Sequence, residues 1–327
     1  MIPKAELHCH LEGAIPPRLA LRQAETYGAD VAAFLRRDAY LWSDFTTFLA
    51  AYDGAAALFR SEADYALLTK TYLMEIAEAG AIYSELFVSP DHARSAGLAP
   101  EAYLAGIEAG IVEARQRSGI ECRLIVVGVR HLGPEAVEAA ARFAIARKGT
   151  SVTGFGMAGE ERFGAVRDYA KAFDIARDAG LGITIHAGEL RGAESVRDAL
   201  DVVRPSRVGH GVRAIEDPSL VERLANDGIV LETCPGSNIA LKVFGSFDEH
   251  PFPALLKAGC KVTLNSDDPP FFDTSLANEY DIAERHFAMT PAELVAVTRT
   301  AIDAAFVDAD TRSRLHARVA EMTAQGD

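Results

Sequence analysis

The chain has 327 residues, 49% hydrophobic and 24% charged. That length can bury about three quarters of its unfolded surface, as two ordinary domains or one large α/β barrel. Lys plus Arg total 33 against 47 Asp plus Glu, a net charge of −14 with no basic block, which argues against nucleic acid and anionic membrane as partners. No apolar run approaches the roughly 18 residues of a membrane helix. The first ten residues carry Lys4, Glu6, His8 and His10, so no signal-peptide apolar region is expected there. Cys9, Cys122, Cys234 and Cys260 are dispersed without CxxC spacing, which predicts free thiols in a reducing cytoplasm.

In chain order, short and nearly continuous apolar runs predict strands at Ala5–His10, Ile82–Ser89, Cys122–Val129, Ser151–Phe155, Gly182–His186, Arg207–Gly209, Ile229–Thr233 and Lys261–Asn265. Helical patterns fill the intervals. Leu104, Ile107, Ile111 and Val112 share one face between Glu101 and Arg117, as do Val166, Tyr169, Ala170 and Phe173 between Ala165 and Ala179. Asp217-Pro218 reads as an N-cap and first helical residue, and Thr290-Pro291-Ala292-Glu293 as a capping box. Gly119, Gly180, Gly228 and Gly259 close helices before the next strand. Eight strand–helix alternations predict a distorted (β/α)8 barrel over residues 1–327 as a single domain. The long first interval holds extra helices near Phe45–Phe59 and Glu62–Glu78, expected over the barrel mouth. No GxGxxG opens a helix after an early strand, so an open doubly wound sheet lacks support.

Polar residues gather at the predicted strand ends, which in such a barrel form one face. His8 and His10 are two apart on a strand, so both imidazoles point the same way and can reach one first-row metal ion. His186-Ala187-Gly188-Glu189 places an acid three residues after a histidine. His210 lies between Gly209 and Gly211. The adjacent carboxylates Asp267 and Asp268 repel each other, and a cation would compensate one of them. His131 also follows a strand but is not assigned to the site. His92, His250, His286 and His316 read as ordinary loop or helix histidines, and Cys9 is expected to pack on the opposite strand face. The glycines of Gly154-Phe155-Gly156-Met157-Ala158-Gly159 are read as letting backbone approach a flat ligand.

Four blocks carry a family resemblance: Pro3-Lys4-Ala5-Glu6-Leu7-His8-Cys9-His10-Leu11-Glu12-Gly13, His186-Ala187-Gly188-Glu189, Val208-Gly209-His210-Gly211 and Leu264-Asn265-Ser266-Asp267-Asp268-Pro269. From residue 2 to about residue 305 the chain resembles the adenosine/adenine deaminases of the amidohydrolase superfamily. The resemblance implies a distorted TIM barrel with one zinc ion per chain, held by His8, His10, His186 and Asp267. It implies that Glu189 donates a proton to purine N1 and that His210 orients and helps deprotonate the attacking water. It further implies that Asp268 bonds N7, that the Gly159 backbone N–H meets N3, and that Glu12 lies toward the ribose. Many adenosine deaminases have Asp where Glu12 stands, and adenine deaminases and some bacterial relatives have Glu. Gly156-Met157-Ala158-Gly159 looks more like the nucleoside enzymes, whereas Val243-Phe244 through His250-Pro251-Phe252-Pro253 looks somewhat like the adenine-specific branch.

The chemistry agrees with that reading. Zinc brings the pKa of a bound water to about 7. Attack on an aromatic C–NH2 carbon breaks ring conjugation, so a ring nitrogen must be protonated as the nucleophile adds. Glu189 is the acid for that step, and Asp267 can both bind metal and accept a proton. No organic cofactor is needed. The expected activity is hydrolytic deamination of adenosine or deoxyadenosine to inosine or deoxyinosine and ammonia. The alternatives are deamination of adenine to hypoxanthine or of a modified adenine nucleoside, and, more remotely, a catalytically silent zinc-containing binding protein. A small purine nucleoside or base is the expected partner. A nucleotide is disfavoured because only isolated Arg130, Arg191 and Arg213 follow strands, whereas a phosphate would want clustered cations.

Overall fold

A computed structural model describes residues 1–324. Eight strands run parallel in sequence order: β1 (Lys4–His10), β2 (Ala81–Val88), β3 (Glu121–Val129), β4 (Val152–Ala158), β5 (Gly182–Ala187), β6 (Arg207–His210), β7 (Val230–Thr233) and β8 (Lys261–Leu264). Their apolar runs are buried on both faces, β2 throughout, as a parallel sheet covered by helices requires. All eight lie where the sequence predicts them, within a few residues at each end.

The sheet closes into a barrel beyond β8, not along it. Cys9 bridges Asp267, with His10 N–H donating to Asp267 O at 3.0 Å and Asp267 N–H to His8 O at 3.1 Å. Glu6 Oε1 accepts from Ser266 N and Oγ at 2.9 and 2.6 Å, so a buried carboxylate stitches the seam. The barrel is distorted at β4 and β5, which pair only at Gly154–Gly182 and Phe155–Ile183 before diverging. That opening lies beside His186.

Three helices lie between β1 and β2: α1 (Pro17–Tyr27), α2 (Phe45–Ala56) and α3 (Glu62–Glu78). Capping boxes at Asp44 and Ser61 start α2 and α3, and α2 covers the mouth. The expected caps at Asp217 and Thr290 form as read. Three local details differ from the sequence reading. A two-stranded hairpin, Leu35–Arg36 with Ala39–Tyr40, was not anticipated. Val112 is 54% exposed, because the helix Pro100–Ser118 packs closely on α3 through Gly106 and Gly110, which sets the inward face at Tyr103, Leu104, Ile107, Ile111 and Ala114. The segment after Ala165 begins as a 3-10 turn, Val166–Tyr169, before turning α-helical at Ala170. Val166, Tyr169 and Phe173 are buried as expected, together with Ala172 and Ala176, while Ala170 is half-buried. Among the described residues, no helix is long and apolar enough to cross a membrane, and all four cysteines are free and buried.

Candidate active site

The alternation of side chains along β1 delivers His8 and His10 to one side of the strand, and β5 delivers His186 from across the barrel. His10 Nε2 and His186 Nε2 lie 3.1 Å apart. Asp267 Oδ1 lies 3.4 Å from His8 Nε2 and 3.5 Å from His10 Nε2. Two imidazole nitrogens face each other across a carboxylate, and His8 Nε2 is buried with no hydrogen-bond partner. The four donors lie within 4.8 Å of one another. Three imidazoles and a carboxylate converging on one point fit a divalent transition metal. A second trio, His210, Cys234 and Asp267, is also compact. Burial holds Cys234 as a thiol that donates to Glu232 O, so the first set is the better ligand sphere.

The electrostatics agree. Burial pushes His10 down to about 3 and His186 well below its ordinary range, leaving neutral imidazoles of the kind a metal binds. Burial would lower His8 too, but the neighbouring carboxylates of Asp267 and Glu232 override it and lift it to about 9. A bound cation would take the place of that proton. Burial opposes ionisation of Asp267, yet His8 close by and the surrounding imidazoles hold it below the usual carboxylate range.

Buried side chains fix these groups. Glu232 Oε2 accepts from His8 Nδ1 at 2.9 Å, aiming Nε2 at the ligand centre. Ser237 Oγ donates to Asp267 Oδ2 at 2.7 Å. Glu161 is 1% exposed and accepts from the backbone N–H groups of Gly188, Glu189, Leu190 and Arg191 and from Ser195 Oγ. It therefore holds the turn that carries Glu189. Gly188 makes that turn possible: its φ is +69°, and a Cβ there would meet Val196 at 2.3 Å.

Glu189 Oε1 lies 3.5 Å from His210 Nε2, which lies 3.9 Å from Asp267 Oδ2. Burial, reinforced by the Asp267 and Glu161 charges, raises the Glu189 carboxyl well above its ordinary range. Burial and the charges of Asp267 and Glu189 do the same to Asp268. Burial lowers His210 to about 4. His210 and Asp267 both adopt left-handed backbone, φ +58° and +64°, which non-glycine residues reach only under constraint from their surroundings. Asp268 packs against the backbone of Gly13, where a Cβ would fall 1.7 Å from its Oδ1.

These residues face a cavity at the barrel mouth. Phe45, Phe48, Leu49 and Tyr52 of α2 roof it together with Leu241 and Phe272. Gly159 lines it. Gly154 and Gly156 do not approach a ligand: Phe306 packs against the first and Thr184 against the second. Glu12 lines the cavity. The strand ends at His10, and Glu12 begins a 3-10 turn. Its Oε1 accepts from Tyr103 Oη at 2.7 Å, and burial raises its carboxyl to about 7. His131 and His92 also line the cavity, and His92 faces Asp53 at 3.8 Å.

Glu161, Glu232, Ser237 and Asn238 escaped the sequence reading, which took His92 and His250 as ordinary loop or helix histidines. Glu232 alone left a signal there, as a lone carboxylate within the apolar run of β7. The others meet their partners through tertiary folding and stand in segments that read as turns or helix starts.

A parallel barrel with three histidines and an aspartate gathered at its C-terminal rim, beside a buried acid, fits the amidohydrolase-type enzymes, and the matches that follow place the chain among the hydrolases acting on a C–N bond of a cyclic amidine. A family model described as adenosine deaminase matches residues 3–322, and the chain belongs to that family. A curated protein of Chelativorans sp. (strain BNC1) named adenine deaminase is 63% identical, covering 98% of both chains. One of the same name from Mesorhizobium japonicum is 62% identical, covering 97% of this chain and 98% of its own. Among solved structures, adenine deaminase from Arthrobacter aurescens matches with a TM-score of 0.92 at 27% identity over 99% of each chain. An amidohydrolase from Burkholderia ambifaria with bound Zn matches at 0.87 and 28% identity, over 98% of this chain and 90% of that one.

These relatives overturn the expectation of adenosine or deoxyadenosine as substrate. The physical reason lies in the residues that carried it. Gly159 and its neighbours were read for the purine edge, which base and nucleoside share. Glu12, expected toward the ribose, accepts a hydrogen bond from Tyr103 instead.

Proposed function

We propose that the protein is a zinc-dependent adenine deaminase, converting adenine and water to hypoxanthine and ammonia. The observation that carries the reaction type is the buried Glu189 carboxyl set beside the converging His8, His10, His186 and Asp267. Relatives above 60% identity named adenine deaminase support the substrate. The donor set and the zinc in the Burkholderia relative support the metal. No Lys or Arg is among the residues lining the cavity, which disfavours a nucleotide phosphate. Four buried free thiols fit a reducing cytoplasm, and we read residues 1–327 as one catalytic domain.

His8, His10, His186 and Asp267 would hold the ion. A divalent cation there supplies a water-derived nucleophile at neutral pH by lowering the pKa of water. Glu189, kept protonated by burial, donates to N1 as oxygen adds to C6. Asp268, also protonated, donates to N7, and the Gly159 N–H meets N3. Asp267 and His210 face the attacking oxygen, where its proton must go. That proton is delivered to the amino nitrogen, and ammonia leaves. The roof of α2 excludes water from the bound ring.

Chelation tests the reading. Metal-stripped protein should release no ammonia from adenine, and added zinc should restore release. Full activity of stripped protein, or none from the zinc-loaded enzyme, would contradict it.

A further inference from the structure

Behind His210, on the side away from the cavity, lies a chain of hydrogen bonds with no role in the mechanism above. It starts from an unambiguous donor: the Phe252 backbone N–H points at His250 Nδ1 at 3.2 Å. His250 Nδ1 therefore holds a lone pair, and the proton of the neutral ring sits on Nε2. Burial keeps His250 neutral, lowered to about 3. His250 Nε2 lies 3.0 Å from Asn238 Oδ1 and donates to it. That turns the amide nitrogen of Asn238 toward His210, where Nδ2 lies 3.4 Å from Nδ1. An amide N–H only donates, so His210 Nδ1 accepts. Asn238, His210 and His250 are each at most 3% exposed, so water does not compete for these bonds. Asn238 itself is fixed from both sides of its backbone, with its N–H on Cys234 O at 3.0 Å and its carbonyl accepting from Val243 N–H at 2.8 Å.

We propose that Asn238 and His250 are positioning residues that hold His210 in its Nε2–H tautomer, so that it meets the reacting centre as a hydrogen-bond donor and leaves Asp267 to take the proton of the attacking water. The nitrogen so protonated is the one facing Glu189 Oε1 and Asp267 Oδ2. The steps then balance. One water O–H bond breaks and its proton passes to Asp267 as the O–C6 bond forms and Glu189 protonates N1. Asp267 returns its proton to the amino nitrogen as the C6–N bond breaks. The remaining hydroxyl proton leaves C6–O as the carbonyl forms and restores Glu189. His210 donates throughout and ends unchanged. This assignment rests on the adenine deaminase reading and adds to it which side chain is the base.

Long-range 1H–15N spectra of histidine-labelled, zinc-loaded protein read the tautomer directly, with His210 identified by its loss in His210→Gln. The expected pattern is Nε2–H. Asn238→Asp presents an acceptor to both histidines and should draw the His210 proton to Nδ1. Its kcat should fall about 10²–10⁴-fold, the range seen when an acid–base group is lost or its histidine held in the wrong tautomer, with KM for adenine and zinc content unchanged. His250→Phe frees the Asn238 amide to rotate and should give a mixed pattern with a smaller loss. An Nδ1–H pattern in the wild type overturns the proposal, as does an Asn238→Asp enzyme with inverted tautomer and wild-type kcat. If Asn238→Asp fails to fold, the wild-type spectrum decides alone. Absence of adenine turnover in the wild type would sink the functional reading and leave the spectrum to judge the tautomer.

Discussion

Two buried charged clusters occupy opposite ends of the barrel, and they are built on opposite terms. At the N-terminal end, Arg207 donates to Glu85 Oε2 at 2.6 Å, Glu232 Oε1 at 2.5 Å and Ala304 O at 2.9 Å, and its guanidinium lies 3.7 Å from the Phe306 ring centroid. Glu85 Oε1 accepts from Tyr83 Oη and Phe306 N, both at 2.6 Å. Every polar atom there has a partner. At the C-terminal end, His8 Nε2, His210 Nε2 and Asp268 Oδ1 are buried without one. A buried charge is tolerated when it is fully paired, so the lower cluster reads as structural. Unpaired polar atoms gathered at a cavity are costly unless a ligand completes them, so the upper cluster reads as a site. Glu232 belongs to both, bonding Arg207 below and His8 above.

Substitutions at the two ends and at the residue joining them should separate accordingly. The largest effect is expected at the upper end. Glu189→Gln should keep its metal yet lose about 10²–10⁴ in kcat, since an amide cannot protonate N1. Steady-state rates beside metal analysis check this, and near wild-type turnover would make Glu189 a bystander. At the shared residue, Glu232→Gln should weaken metal binding by about 10–100-fold, because His8 loses the carboxylate that orients it. Chelator competition measures this, and unchanged affinity would confine Glu232 to the lower cluster. The smallest effect on catalysis belongs to Glu85→Gln. It should cost about 1–3 kcal/mol of stability by denaturant titration, leaving Arg207 short of one charged partner, while kcat per bound metal stays at the wild-type value. A loss of kcat there would couple the two ends and break the contrast.

The same contrast explains what the sequence disclosed. The strands were legible because burial on both faces makes them nearly continuous apolar runs, as in Ala81–Val88. The clustering of His8, His10, His186 and Asp267 was legible because His8 and His10 fall two apart and the remaining groups follow strand ends, where a barrel gathers them. The supports were not. Glu232 meets His8 across 224 residues of chain, and His250 reaches His210 only through Asn238, which no periodicity marks. Glu161 looks like any loop glutamate until the fold brings the backbone of residues 188–191 onto its carboxylate. The roof was foreseen as an insertion over the mouth, but its aromatic lining of Phe45, Phe48 and Tyr52 reads in sequence as ordinary helix core. Substrate choice turned on residues such as Glu12, whose bond to Tyr103 no local pattern records, and that is where the sequence reading went wrong.

Competition between substrates tests the central claim most directly. Zinc-loaded enzyme is given equimolar adenine and adenosine in one vessel, and hypoxanthine and inosine are separated and quantified over time, which reads the ratio of kcat/KM values without separate calibration. The account predicts that hypoxanthine accumulates first and adenosine stays largely intact until adenine is consumed. Inosine appearing first, or neither product forming, would contradict it.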